Sequence, residues 1–406
     1  MPALQNLAGH RLWIIPAYFL LAAAPGCWIP VLANVLNEQG WHHWVTFAFL
    51  IPPLSGTIAP LLFAAVADQR IAAERVLAWS LWGGAVFLYL AFEILEAGKF
   101  PVLFLICFFI AQLSSAPAWA LLNAVAFANL KEKKKNFGLF RVWGTFGWAF
   151  AGWMVSAMAW DSSPAVGKLA VAIRVLAGIV CLLLPHTPPQ GAAPKSWQQA
   201  LGLHSLRILR QRDIGFFFLT SFLFSIPLSA FYMQTPQFLQ GLGETRVALL
   251  MTTGQMTEVL AMLGLGYVLT RWRIKWLLLL ALGAGCLRYA FYGWGAEEGS
   301  LPLVLFGIAM HGICWTFFFE AGRIFLDERV DPAFRAQTQA LLTLLTMGLG
   351  SIVGTASMGM LQDRWVANGT SEEWAFFWRI LTGLCLLATL LFAFGYRGRK
   401  NANSLP

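Results

Sequence analysis

Three groups of polar side chains lie inside runs that are otherwise apolar, and their types suit the handling of a proton and a small polar solute. The first is Phe140-Arg141-Val142-Trp143-Gly144-Thr145-Phe146-Gly147-Trp148. At about 100° per residue, Arg141, Thr145, Trp148 and Gly152 fall within a roughly 60° arc of one helix, and Gly144, Gly147 and Ala151 form a small-residue strip beside it. The second group, Gly254-Gln255-Met256-Thr257-Glu258, puts Gln255 and Glu258 one turn apart, with Met251 and Met262 continuing that face. The third runs from His311 to Arg323. There His311, Trp315, Phe318 and Gly322 share one face, while Thr316, Glu320 and Arg323 lie on roughly the opposite one.

In hydrocarbon an arginine costs about 2.5–3.5 kcal/mol on insertion scales, so such residues face a bundle interior or a wet cavity and pair there. A glutamate in the same solvent needs a partner or a proton. Glu258 beside Arg141 stays ionised, and it is poised to take a proton if the two separate, which is the physical form a proton-coupled carrier requires. The alternative is a static Arg141–Glu258 pair that clamps two halves of the protein together. Glu320 and Arg323 read more simply as a surface or interhelix pair, with Arg323 near enough to a helix end to snorkel. Gln112, Trp119 and Asn123 on one face, and Ser229 and Tyr232 between Pro227 and Pro236, are either interhelical hydrogen-bonding groups or ligand contacts. Arg174 has no partner that the sequence identifies.

Composition makes lipid the solvent of these helices. Hydrophobic residues are 58% of the 406, charged residues only 12%, and mean hydropathy is +0.65, whereas a soluble domain is about 25% charged. The net charge of +9 sits in short loops and the tail, as in cytoplasmic loops of membrane proteins, so nucleic acid is not an expected partner. The six cysteines (Cys27, Cys107, Cys181, Cys286, Cys314, Cys385) have no paired or metal-ligand spacing. Only His311 of the six histidines falls inside a span, and HExxH, GxSxG and paired aspartates are all lacking; an enzyme, a metal or a cofactor is not expected.

Apolar runs long enough to cross a bilayer recur along the chain. They fall near 11–36, 43–67, 75–96, 101–130, 138–160 and 165–185, then near 214–240, 245–270, 274–296, 301–325, 337–361 and 373–396, twelve in all. The first is too long for a signal-peptide core. Pro25, Pro30, Pro52, Pro53, Pro117, Pro227 and Pro236 lie inside these runs and predict kinks, with a break in the seventh span. Loops after even-numbered spans carry the basic residues: Arg70 and Arg75; Lys131 and Lys133–Lys135; Lys195, Arg207, Arg210 and Arg212; Arg271, Arg273 and Lys275; Arg329 and Arg335; and Arg397, Arg399 and Lys400 in the tail. Odd loops hold little more than Lys99, Lys168, Arg246 and Arg364. Both termini are therefore expected in the cytoplasm.

The expected fold is an all-α integral membrane protein of twelve transmembrane helices in two six-helix halves, the major facilitator architecture. Its parts are an N-terminal half (1–185), a cytoplasmic linker (186–213), a C-terminal half (214–396) and a cytoplasmic tail (397–406). A weak echo between Ala64-x-x-x-Asp68-Gln-Arg70 and Gly266-x-x-x-Thr270-Arg271-Trp-Arg273 falls at corresponding places in the halves.

Several segments, in order, resemble the successive signatures of the nucleoside:proton symporter family of the major facilitator superfamily. They are Ala67-Asp68 with Glu74-Arg-Val-Leu-Ala78, Pro117-Ala-Trp-Ala-Leu-Leu-Asn123, Phe140 to Trp148, Leu184-Pro-His-Thr-Pro-Pro189, Gly254 to Glu258, and His311 to Phe319. The resemblance implies that Arg141, Thr145 and Trp148 belong to a fifth-helix substrate site and Gln255 and Glu258 to an eighth-helix one. His311 and Trp315 match aromatic positions of the tenth helix, and Tyr232 a polar position of the seventh. Thr316 stands where the family typically has an aspartate, and Glu320 and Arg323 replace residues that are usually uncharged.

The same resemblance implies a secondary active transporter importing nucleosides by proton symport, with Glu258 and Arg141 coupling the proton. Trp148 or Trp315 would lie against the flat base, and Arg141, Gln255 and Glu258 would serve the ribose hydroxyls. Other readings are a carrier for a sugar or glycoside, a drug-like exporter, and a non-transporting membrane sensor. The expected partners are a nucleoside, a proton and the lipid bilayer; the expected state is a monomer in the cell (inner) membrane.

Overall fold

The computed structural model describes residues 12–63, 71–129, 133–188 and 196–398. Asp68, Arg70, Lys131, Lys195, Arg399 and Lys400 lie outside them, as does the Ala64–Arg70 side of the internal echo. The described chain is helical throughout, without strands. Its elements are α1 (Ile14–Trp28), α2 (Leu32–Glu38), α3 (Val45–Phe63), α4 (Ala73–Glu96), α5 (Pro101–Ser115), α6 (Ala118–Asn129), α7 (Lys133–Ala157) and α8 (Ala165–Leu182), then a short α9 (Trp197–Ala200). After it come α10 (Arg212–Leu228), α11 (Ala230–Met233), α12 (Thr235–Gly241), α13 (Val247–Arg271), α14 (Ile274–Glu298), α15 (Leu301–Cys314), α16 (Ala321–Arg329), α17 (Arg335–Thr343), α18 (Ser351–Trp365) and α19 (Ser371–Gly395). Ten spans among the described residues are long and apolar enough to cross a membrane. With α3 and the arginine-bearing α7 they make the twelve expected crossings.

Proline acts more strongly than the expected kinks. Pro25, Pro52 and Pro53 stay inside helices, but the first span breaks at Ile29–Val31 around Pro30, and the fourth breaks between α5 and α6 at Ala116–Pro117. Each proline removes an N–H and crowds the carbonyl four residues back, so the helix stops just before it and resumes within two residues after it, at Leu32 and Ala118. The seventh span comes in three pieces, α10 to α12, with Pro236 in the first turn of the last. Two spans contain π-helical turns, Trp315–Glu320 between α15 and α16 and Leu344–Gly350 between α17 and α18.

The chain forms two compact units: residues up to Pro194 with Glu244–Thr252, and Lys195–Gly243 with Thr253 onward. In the first, α1 is apolar on every side and correspondingly buried. The small-residue strip of α7 is what admits it. A side chain at Gly147 would collide with the Phe19 carbonyl, one at Gly144 would touch Trp119 at 3.1 Å, and a Cβ at Gly26 would lie 3.0 Å from the Trp148 backbone. Close approach of this kind drives helix association in lipid, where burial of apolar surface gives no net gain. Around it Ile14, Tyr18 and Leu21 pack with Leu77, Leu81, Leu122, Phe140 and Val180.

Two of the family-like motifs meet in this unit. Glu74, 5% exposed in the first turn of α4, accepts from the backbone N–H of Thr187 (3.0 Å) and bonds His186 Nδ1 (2.8 Å). Asn129 Nδ2 reaches the Thr187 hydroxyl (2.9 Å), and the Ala73 N–H bonds the Thr187 carbonyl (3.0 Å). The start of the 186–213 connection is thereby pinned to α4 and α6.

The second unit is held by an aromatic core of Phe238, Tyr289, Tyr292, Trp374 and Trp378, with Tyr289 and Trp378 stacked at 5.7 Å. Basic residues gather at one end of it. Lys275 Nζ donates to the carbonyls of Ala393 (3.0 Å) and Tyr396 (2.7 Å), Arg212 Nε to that of Gly395 (3.1 Å), and Asp213 accepts the N–H groups of Arg397 and Gly398. Cations at a helix C-terminus complement its orphan carbonyls and its dipole.

Candidate functional site

In the N-terminal unit the polar arc of α7 faces inward. Arg141 is half-buried, its guanidinium 6.0 Å from the Trp119 ring centroid. Trp119 in turn lies 6.1 Å from the Tyr18 ring, and the Tyr18 hydroxyl donates to Asn123 Oδ1 at 2.7 Å. Thr145 and Trp148 are half-buried on the same face. Trp119 and Trp148 both line a cavity of about 240 Å³, with Leu20, Pro25, Gln112 and Arg174 among its other walls. Of the fourth-span face singled out in the sequence, Trp119 lies beside the α7 arginine and lines the adjoining cavity with Gln112, while Asn123 holds the Tyr18 hydroxyl.

In the C-terminal unit five candidates converge. Gln255 Nε2 donates to the Tyr232 hydroxyl at 3.1 Å, and Glu258 follows one turn later on α13. His311 lies 6.3 Å from the Tyr232 ring and 6.1 Å from Trp315, nearly parallel to the latter. Phe231 stacks on the imidazole at 4.3 Å and 5°. Glycines set the approach of α13 to α15: a Cβ at Gly312 would strike the backbone of Thr257 and Glu258, and one at Gly254 would sit 3.1 Å from His311 Cβ. Thr257 closes the contact with a 2.7 Å bond to the Ala309 carbonyl.

Arg288 of α14, 1% exposed, belongs to the same cluster and is the residue that sequence reasoning passed over. Its Nη2 donates to His311 Nδ1 at 2.9 Å, and its guanidinium lies 4.7 Å from the Phe231 ring centroid. A guanidinium has no acceptor, so Nδ1 must be the accepting nitrogen and the imidazole proton sits on Nε2. An arginine in the middle of Leu-Leu-Leu-Leu-Ala-Leu-Gly-Ala-Gly-Cys-Leu-Arg288-Tyr is itself the signal that marks it.

The wide turn at Trp315–Glu320 bears on the two faces of the tenth span. Trp315 opens it, Thr316 and Phe318 are fully buried, and Glu320 pairs with Arg323 at 3.5 Å as expected of an i, i+3 pair. π turns recur at functional sites. Ser229 is spent locally, its hydroxyl on the Ser225 carbonyl at 3.1 Å. Among the described residues no group of three or more His, Cys, Asp or Glu side chains has metal-binding geometry.

The model of one family, described as nucleoside H+ symporter, matches residues 11–401. This chain belongs to the nucleoside H+ symporter family. It is a transporter and not an enzyme, and the family's activity is proton-coupled nucleoside transport. Similar members of known name include the putative nucleoside transporter YegT of Escherichia coli K12, 28% identical over 96% of this chain and 91% of that protein. The nucleoside permease NupG of the same organism is 26% identical over 93% of each chain. Two crystal structures of the nucleoside transporter NupG, one of them a mutant, match with TM-scores of 0.86 and 0.82 at 23% identity over 95% of this chain and 99% and 98% of those. The fold is the twelve-helix major facilitator architecture, and this symporter is a multi-pass membrane protein.

Proposed function

We propose that this symporter imports nucleosides across the cell (inner) membrane as a monomer, with Arg141, Thr145, Trp148, Tyr232, Gln255, Glu258, His311 and Trp315 binding the substrate and Glu258 and Arg141 carrying the proton coupling. In this reading both termini lie in the cytoplasm, which the basic residues of the even-numbered loops and the tail support. The halves 1–185 and 214–396 move as bodies joined by the 186–213 connection.

The observation that carries this reading is the gathering of Tyr232, Gln255, Glu258, His311 and Trp315 in one unit, with Gln255 on Tyr232 and His311 beside Trp315. A carboxylate, an amide and a hydroxyl are suited to ribose hydroxyls, and the indole offers a flat apolar face to a base. Thr316, in the position where an aspartate is typical of the family, leaves Glu258 as the titratable group that serves coupling.

The deciding experiment is flux in proteoliposomes with an imposed pH gradient, run against a nucleoside panel. Uptake driven by an inward proton gradient and inhibited by nucleosides but not by free sugars supports the reading. Uptake indifferent to the gradient, or competed by sugars alone, refutes it.

A further inference from the structure

Arg174 lies midway along α8, is 4% exposed, and its Nη1 meets no hydrogen-bond partner among the described residues. A guanidinium nitrogen left without a partner so deep in a membrane protein is costly unless something meets it. It lines the 240 Å³ cavity of the N-terminal unit, and none of the residues lining that cavity is acidic. Gln112, in the same wall, also has a buried side-chain Nε2 without a partner.

The arginine is held there. Trp82 Nε1 bonds the Val175 carbonyl at 3.1 Å, fixing α8 against α4 beside the arginine. A Cβ at Gly84 would press on Ser115 Oγ and come within 3.1 Å of Arg174 Nη1, so a glycine on α4 keeps the space that the guanidinium occupies. Ser115 Oγ is committed to the Ala111 carbonyl at 2.8 Å. The cavity therefore presents one guanidinium, which can only donate, one amide able to donate or accept, and two indoles, Trp119 and Trp148.

We infer that Arg174 and Gln112 read the edge of the nucleobase, and that they select an oxo group over an amino group at the position facing Arg174. This rests on the nucleoside transport proposed above and adds two residues that are not among its substrate-binding set. Uracil offers a carbonyl oxygen next to a ring N–H, which matches a guanidinium donor beside an amide. Cytosine offers an amino group there, so donor would face donor and Arg174 Nη1 would stay unpaired. A site built to hydrogen-bond one group discriminates strongly against an analogue that leaves its buried polar atoms unpaired.

The test is competition by uridine and by cytidine for nucleoside uptake in proteoliposomes, in the wild type and in Arg174→Gln, Arg174→Lys and Gln112→Leu. The wild type is expected to favour uridine by about tenfold or more. That ratio should collapse toward unity in Arg174→Gln, survive largely in Arg174→Lys and shrink in Gln112→Leu. If Arg174→Gln does not fold, Gln112→Leu decides. A wild type that takes both nucleosides equally, or variants that keep the wild-type ratio, would overturn this inference and leave nucleoside transport standing; absence of any nucleoside uptake would overturn both.

Discussion

Asp161 Oδ1 accepts the backbone N–H of Ala248 at 2.7 Å, tying the loop after α7 to the first turn of α13. Ser156 completes the contact, donating to the same oxygen at 2.7 Å and accepting the Leu249 N–H at 2.9 Å. An anion at a helix N-terminus satisfies orphan donors and complements the dipole. Asp161→Ala leaves the Ala248 N–H unpaired and is expected to cost about 1–3 kcal/mol, read as a lowered Tm in detergent.

The same carboxyl gives a pH dependence. Burial raises the Asp161 pKa above its ordinary value, against the opposing effects of the Ala248 N–H, Ser156 and the Arg246 charge. A folded state that holds its proton more tightly than the unfolded chain gains stability at acid pH and loses it as pH rises through the folded pKa. Asp161→Asn keeps an acceptor but cannot titrate. The Tm difference, variant minus wild type, should therefore grow as pH rises from about 4 toward neutrality; a difference that is flat or shrinks contradicts the assignment.

Glu258→Gln should abolish proton-driven uptake while leaving exchange of nucleoside down its own gradient measurable, because the amide keeps the hydrogen-bonding shape and loses the titration. The check is uptake at several external pH values. A variant whose uptake still follows the proton gradient removes Glu258 from coupling.

Trp148→Ala should weaken nucleoside binding by about 0.5–1.5 kcal/mol, the worth of a flat aromatic contact beyond its buried area. Calorimetric titration of the purified protein measures it. An unchanged Kd takes Trp148 out of the site.

Arg288→Leu removes the donor that fixes the His311 tautomer and leaves Nδ1 without its partner. Leaving that buried acceptor unsatisfied is expected to cost about 1–3 kcal/mol, with loss of Tm, whereas His311→Asn, which keeps an acceptor near Arg288, should cost less. Equal losses in the two variants would mean that the guanidinium is held by its ring contacts alone.

How much of this was legible depends on range. The strip Gly144, Gly147 and Ala151 and the arc Arg141, Thr145 and Trp148 follow from helical periodicity alone, but that the first of these faces packs against α1 backbone does not. The pairing of Gln255 with Tyr232 across two spans is a tertiary relation that no window along the chain contains. Asp161 sits in a short connection whose only local signal is its charge, and its partner is a backbone N–H 87 residues away. Pro30 and Pro117 could each kink or break a helix, and neighbouring helices decide which. Arg288 was readable as an intramembrane charge, but its partner His311 becomes evident only when α14 and α15 are side by side.

The widened turn at Trp315–Glu320 has a practical consequence for comparing this protein with its kin. It spends one residue more than an ordinary turn, so every amino acid downstream is rotated by roughly 100° from where an unbroken helical wheel would put it. Matching this span to a homologue lacking the widening calls for a one-position gap. Without it, Glu320 and Arg323 would be equated with counterparts aimed in a different direction, and a change of chemistry would be inferred where only a change of phasing had occurred.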